Sequence, residues 1–402
     1  MAHAPDAFSS LCSCEGAADA RSYVAARSAF FTIRCDGATV ELAQGHRGGA
    51  PLTPKVKPRQ LLPGDKVATV SLSWGGPGAF RYRYEAGKSQ LEEVFGVSVV
   101  ESRHCLADPQ WIYENPQARA DDLMECFEDI TISAIIATIG GDDSIRILPY
   151  IDLDVIKNNP KVFMGYSDST ICHFACFRAG IVSYYGPSIM AGFAENCGLF
   201  PYMERSVHRT LFASEPVGTI KPNLDGWTVE FLDWGKPEHQ EQRRRLKPSS
   251  GWRWLQGEGK AAGHLIGGCL EVLDWLRGTD YWPPLDEWEG ALLFLEPSEE
   301  APSPEYVLRF FRSLESMGIL ARLNGLLFGR PGGQITDEER IEYDQALIRA
   351  ISKEAGRTTL PIVANMDFGH TDPIMTLPYG VTVEIDCDAQ VLRIPESATS
   401  SR

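Results

Sequence analysis

Residues 161–170 read Lys161-Val162-Phe163-Met164-Gly165-Tyr166-Ser167-Asp168-Ser169-Thr170. A short apolar β-rich run breaks at a serine and passes at once into helical spacing, through Ile171, Phe174 and Ala175 to a closing Gly180. A sharp strand-to-helix turn lifts a hydroxyl out of the sheet and sets it beside helix N-terminal amides, which stabilise an oxyanion. The motif is Gly-x-Ser-x-Ser and lacks the last glycine of the α/β-hydrolase elbow. Taken alone the motif is weak and reads more readily as a serine N-cap.

The same alternation extends outward from this stretch. Lys66–Leu72 and Val97–Val100 read as strands flanking a helix over Tyr84–Val94. Asn115-Pro116 reads as an N-cap with proline at the first helical position. Ile132–Ile139 is a continuous apolar strand, as a parallel sheet covered on both faces requires. Val162–Tyr166 and Ile181–Tyr185 are further strands. This predicts a doubly wound α/β domain with a parallel sheet over residues 56–220. Residues 221–258 break the rhythm with Trp227, Trp234, Trp252 and Trp254, and read as an interdomain connection or a loop over a site. Residues 259–396 carry strand candidates at Ala261–Ile266, Ala291–Leu295, Gly325–Phe328, Ile362–Met366, Val381–Ile385 and Val391–Ile394. With one clear helix after Ser303-Pro304, they predict a β-rich, barrel-like C-terminal domain. Residues 1–55 read as a partly disordered extension and 397–402 as a tail.

A length of 402 residues suggests two or three domains at ~150 each. Lys plus Arg number 38 against 54 Asp plus Glu, a net charge of −16 that disfavours nucleic acid and anionic membranes as partners. The basic cluster Arg243-Arg244-Arg245 with Lys247 reads as a solvated face. The 10 cysteines form no disulfide framework. Cys172 and Cys176 read as buried thiols, since the second ligand pair of a zinc site is missing. With no apolar run of ~20 residues and no signal-peptide pattern, the expected location is the cytoplasm. No metal or other cofactor is expected.

Two further places offer chemistry. In Thr138-Ile139-Gly140-Gly141-Asp142-Asp143-Ser144, a buried strand ends in glycines that let backbone N–H groups approach a ligand, or it ends in a plain tight turn. The third place is split. Ala291–Leu295 ends in Glu296-Pro297, with Glu299 and Glu300 just beyond. Ile362–Phe368 ends in Gly369-His370-Thr371-Asp372. An acid and a histidine at strand ends are what a serine nucleophile needs as orienter and base.

Together these segments resemble the LD-carboxypeptidase family of serine peptidases, which includes the microcin C immunity peptidases. The resemblance begins at Leu61-Leu62-Pro63-Gly64-Asp65. It runs through Gly140–Ser144, Gly165–Asp168, Tyr185-Gly186-Pro187, Gly267-Gly268-Cys269-Leu270, Leu293–Glu296, Phe368–Thr371 and Leu377-Pro378-Tyr379-Gly380. It implies a nucleophile at Ser167, a general base at His370 and an orienting acid at Glu296, with Glu299 and Glu300 as nearby alternatives. It also implies an oxyanion hole from the N–H groups of Gly141 and Asp168, and a homodimer. Cys269 stands where the family usually has an asparagine that shapes the substrate pocket. Two substrates then compete: a peptidyl-nucleotide or acyl-aspartyl amide, as for the immunity-type members, and a muropeptide tetrapeptide losing D-alanine. The first makes Trp234 a base-stacking candidate, against ordinary packing. A protein that kept the fold as a silent binder is the reading from another class.

Overall fold

Alternating strands and helices build the first sheet from β1 (Lys66–Val70), β2 (Ser98–Glu101), β3 (Ile132–Ala137), β4 (Val162–Gly165) and β5 (Tyr184–Tyr185). The computed structural model describes residues 54–401, together with the backbone of a small hairpin, Arg34–Cys35 with Ala38–Thr39. The rest of the expected extension lies outside the described residues. The five strands are mutually parallel, all but the edge strand β2 are buried along most of their length, and alternate side chains serve opposite faces. Val67, Ala134, Ile136, Val162 and Met164 enter one hydrophobic cluster, and Ala68, Val70, Ile135 and Phe163 enter another. This two-sided burial is why these strands read as continuous apolar runs.

Three helices matter to the site: α1 (Arg81–Phe95), α2 (Pro116–Glu128) and α3 (Thr170–Ala179). In α3 every residue but Arg178 is buried. Ile171, Phe174 and Phe177 join the first cluster and Cys172, Ala175 and Cys176 the second. Pro116 opens α2 as expected, but Asn115 makes no cap bond to it. Its side-chain amide donates instead to Trp111 O at 2.8 Å, closing the preceding helix.

The second sheet takes β6 (Gly218–Ile220), β7 (Arg253–Gln256), β8 (Lys260–Cys269), β9 (Leu292–Glu296), β10 (Gly325–Gly329) and β11 (Ile362–Met366). After β12 (Leu377–Pro378) it adds β13 (Thr382–Asp386) and β14 (Val391–Ile394), in the order β6-β14-β13-β8-β9-β10-β11-β7. The run β8 to β11 is parallel, and the flanking pairs are antiparallel. The expected β-rich half is therefore an eight-stranded sheet with a parallel centre, carrying helices α4 (Pro304–Ser316) and α5 (Asp337–Leu347). Strands β6 and β7 arise from stretches that read as first domain and as connection, yet both complete this sheet.

The two halves interlock. β12 pairs antiparallel with β5 at the edge of the first sheet. The expected tail is packed: Ala398 and Thr399 are fully buried, Tyr184 Oη donates to Ala398 O at 2.9 Å, and Ser400 bridges to Arg59. Among the described residues no helix is long and apolar enough to cross a membrane.

The Trp-rich segment is anchored by a buried ion pair. Arg330 Nη2 lies 2.8 Å from Asp367 Oδ1, and both side chains are buried. Asp367 Oδ2 also accepts from Trp252 Nε1 at 2.7 Å and from the Asn223 amide at 2.9 Å. Removing one partner leaves a buried charge uncompensated. Asp367→Ala should therefore lower unfolding stability by about 3–5 kcal/mol in urea titrations, and a loss below about 1 kcal/mol would show that the pair is dispensable.

Candidate active site

Ser167 follows β4 after one residue, Tyr166, and takes a left-handed backbone, φ 60°. An L-residue adopts this region only where its surroundings hold it there. The N-cap position of α3 belongs to Ser169. Ser167 is therefore the elbow of the turn rather than the cap of the helix. Its N–H donates to Tyr185 Oη at 3.0 Å. Its Oγ makes no hydrogen bond among the described residues and lines a cavity of about 580 Å³.

The glycine loop after β3 forms the neighbouring wall. Gly141 has φ 146°, and a Cβ there would lie 2.3 Å from Ser73 Oγ, so only glycine fits. The following segment, which read as a helix, is a 3-10 turn over Ser144–Tyr150. The buried Asp168 carboxylate staples this loop to the elbow. Its Oδ2 accepts the N–H groups of Asp143 at 3.0 Å and Ser144 at 2.8 Å. Burial raises the Asp168 pKa, while hydrogen bonds from Ser73 and Ser144 oppose the rise. Outside its own turn neither the Gly141 nor the Asp168 N–H donates to a protein acceptor among the described residues. The two amides are thus available to an anionic oxygen.

Glu296 closes β9 and is wholly buried. His370 follows Gly369, where a Cβ would come within 2.4 Å of Glu296 Oε2. The ring is held from both sides: Nδ1 is 2.8 Å from Glu296 Oε2 and Nε2 is 3.0 Å from Glu299 Oε2. Glu300 forms no ion pair with it. The Tyr166 and His370 rings meet edge to face, their centroids 5.0 Å apart. Burial alone would lower the His370 pKa, but the charge and hydrogen bond of Glu296 and those of Glu299 outweigh it and hold the imidazolium well above its ordinary range. The same bond brings Glu299 down to about 2, against the opposing effect of burial. Tyr185 Oη, having accepted from Ser167, donates to Glu296 Oε1.

Ser167, Gly141 and His370 therefore share one cavity, with Glu296 behind His370 and the Asp168 amide beside the elbow. Trp234 also lines the cavity, packed against Phe80, Phe231 and the Arg83 guanidinium. Cys269 differs from expectation. It is buried off the cavity wall, its amide 3.1 Å from Thr170 Oγ1 and its thiol 3.5 Å from Glu271 Oε2. Desolvation and the nearby Glu296 and Glu271 carboxylates raise its thiol pKa. The basic cluster also divides. Arg243, Arg245 and Lys247 are exposed, but Arg244 turns inward onto Glu195 and onto Asp372 at 2.8 Å. Sequence reasoning missed the contacts of Tyr185, which appeared only inside a short motif, and the place of Arg83 in the cavity wall, one residue ahead of the expected helix Tyr84–Val94.

A hydroxyl at a strained elbow, an imidazole oriented by a buried carboxylate and two free amides together suit acyl transfer. The comparisons agree in kind. The model of the LD-carboxypeptidase N-terminal domain matches residues 67–186 and that of the C-terminal domain residues 262–385. The putative carboxypeptidase YocD of Bacillus subtilis is 32% identical over 339 residues, 83% of this chain and 97% of that protein. The MccF-like protein from Streptococcus pneumoniae in complex with AMP is 33% identical with a TM-score of 0.73, covering 82% of this chain and 98% of that one. The microcin C7 self-immunity protein MccF in complex with aspartyl sulfamoyl adenosine is 26% identical with a TM-score of 0.74, covering 86% and 100%.

For Nε2 to take a proton from Ser167, Glu299 must release it. The Glu299 side chain is 69% exposed and has room to leave. Because its charge favours the imidazolium, Glu299→Gln should lower the His370 pKa and move the acid limb of kcat/KM to lower pH. An acid limb that stays put or moves up would show that Glu299 does not govern the base.

Proposed function

The chain belongs to the LD-carboxypeptidase family of serine carboxypeptidases, and from that premise we propose that Ser167, His370 and Glu296 hydrolyse a C-terminal amide through an acyl-enzyme. The observation that carries this reading is the His370–Glu296 pair beside a left-handed Ser167 in one cavity. Ser167 Oγ attacks the scissile carbonyl carbon while His370 Nε2 takes its proton. The carbonyl oxygen becomes an oxyanion facing the Gly141 and Asp168 amides. His370 then protonates the leaving nitrogen, the C–N bond breaks, and water repeats the cycle on the ester to free Ser167. Glu296 holds the ring tautomer with Nδ1 protonated and stabilises the imidazolium.

Within this chemistry we favour a peptidyl-nucleotide or acyl-aspartyl amide substrate. The cavity wall offers Trp74, Phe80, Phe231 and Trp234, and aromatic stacking on a base contributes ~1–3 kcal/mol. The nucleotide ligands of the two MccF-type structures support the same choice.

The test is mass-spectrometric cleavage of an aspartyl sulfamoyl adenosine conjugate beside a muropeptide tetrapeptide ending in D-alanine. Ser167→Ala serves as the blank, and a fluorophosphonate probe reports the nucleophile. Cleavage of the nucleotide conjugate is expected, and cleavage of the tetrapeptide alone would transfer the assignment to cell-wall peptides. Ser167→Ala or His370→Ala should lower kcat by about 10⁴–10⁶-fold with the fold intact. A folded wild-type protein that neither cleaves nor labels at Ser167 would be a silent binder.

A further inference from the structure

The wall of the cavity that holds Ser167 and His370 also contains a buried cation that the reaction just described does not use. Arg83, on α1, is 5% exposed. Its Nε donates to Met190 O at 3.0 Å, and its Nη1 donates to Asn196 Oδ1 and to Gln240 Oε1, each at 2.7 Å. All three acceptors are neutral. Among the described residues Nη2 has no protein partner, and no carboxylate stands within ion-pair distance of the guanidinium. The side chain lines the same cavity as Ser167 and His370.

The other arginine in this wall is in a different position. Arg244 is engaged by both Glu195 and Asp372, so those carboxylates are occupied. They act on Arg83 only through space, and burial lowers the Arg83 pKa to about 10, which leaves it charged at neutral pH. A guanidinium held by three neutral acceptors keeps its plane fixed, with one N–H₂ edge left for whatever enters the cavity. Such an edge is matched by a planar or tetrahedral anionic group. Trp234 lies over the same guanidinium, 5.1 Å from ring centroid to its carbon. The anion position is therefore continuous with the aromatic wall.

The structure assigns Arg83 Nη2 as the anion-reading donor of the substrate pocket, where it takes the charged oxygens carried by the group that departs with the scissile nitrogen. These oxygens are a terminal carboxylate in a peptide, or a phosphoryl or sulfamoyl group in a nucleotide conjugate. The inference rests on the hydrolytic reading above and adds what the released half of the substrate must carry. It makes Arg83 a specificity residue that reads charge, with the aromatic wall receiving whatever lies beyond it.

The experiment is titration calorimetry on the Ser167→Ala protein with two matched pairs. One pair is a tetrapeptide ending in a free D-alanine carboxylate and its carboxamide; the other is AMP and adenosine. In at least one pair the anionic member should bind tenfold or more tightly than its neutral partner, and the pair that discriminates identifies the source of the anion. Adding Arg83→Gln should reduce that preference to within twofold, while Arg83→Lys, which keeps the charge but not the fork, should retain part of it. Equal affinity for charged and neutral members in both pairs would overturn the assignment. So would an Arg83→Gln loss that is the same for both members, since that is what a purely structural arginine gives. Failure of the hydrolytic reading is seen separately, as absence of fluorophosphonate labelling at Ser167 in the wild-type protein.

Discussion

A carboxylate with no access to water sits between the two halves of this protein, and the site is arranged around satisfying it. Glu296 emerges from the end of β9 into a space bounded by Gly329 and Gly369, either of which would clash with it if it carried a side chain. A buried carboxylate needs close donors or it becomes a large penalty. Its two oxygens find them in opposite directions: His370 beyond β11 in the second sheet, and Tyr185 in β5 of the first. Tyr185 also accepts the amide of Ser167. One phenol thus connects the backbone of the elbow to the acid behind the histidine. The relative position of serine and imidazole follows from this chain of contacts rather than from either half alone.

Most of the architecture was legible in the sequence because the central strands are buried on both faces. Ile132–Ile139 reads as a covered parallel strand and Ala291–Leu295 as an apolar strand, and Ser167, Glu296 and His370 each stand shortly after such a strand stops; that the second sheet also has a parallel centre shows only in the pairing. What was not legible depends on pairing between distant segments. No local pattern announces that Leu377–Pro378 returns to the first sheet, or that Gly218–Ile220 joins the second. Cys269 occupies the expected sequence position, yet the strand end turns its thiol toward Glu271 instead of the cavity. Arg244 looks like its exposed neighbours Arg243 and Arg245. Only the three-dimensional proximity of Glu195 and Asp372 draws it inside.

The Trp-rich segment shows how an acidic chain places its positive charges. Trp227 lies against the guanidinium groups of both Arg330 and Arg340, at 4.9 and 4.4 Å, and Trp252 donates to the carboxylate that neutralises Arg330. Cation–π contact and ion pairing here act on the same buried arginine. The segment that looked too polar for a core and too aromatic for a linker is both, because its aromatic rings cover charges that the second sheet has buried.

The return of β12 to the first sheet has a mechanical consequence. Many two-lobed enzymes open and shut about a flexible linker, and their turnover includes that swing. Here each lobe lends the other a piece of itself, Leu377–Pro378 beside Tyr184–Tyr185 in one sheet and Gly218–Ile220 in the other. Spreading the lobes would strip an edge strand from a sheet and pull Tyr185 off Glu296 in the same movement. Opening the cleft therefore costs backbone pairing as well as side-chain contact. Traffic through it is left to side chains at its mouth, such as Glu299 and Phe231, which can move without disturbing the frame.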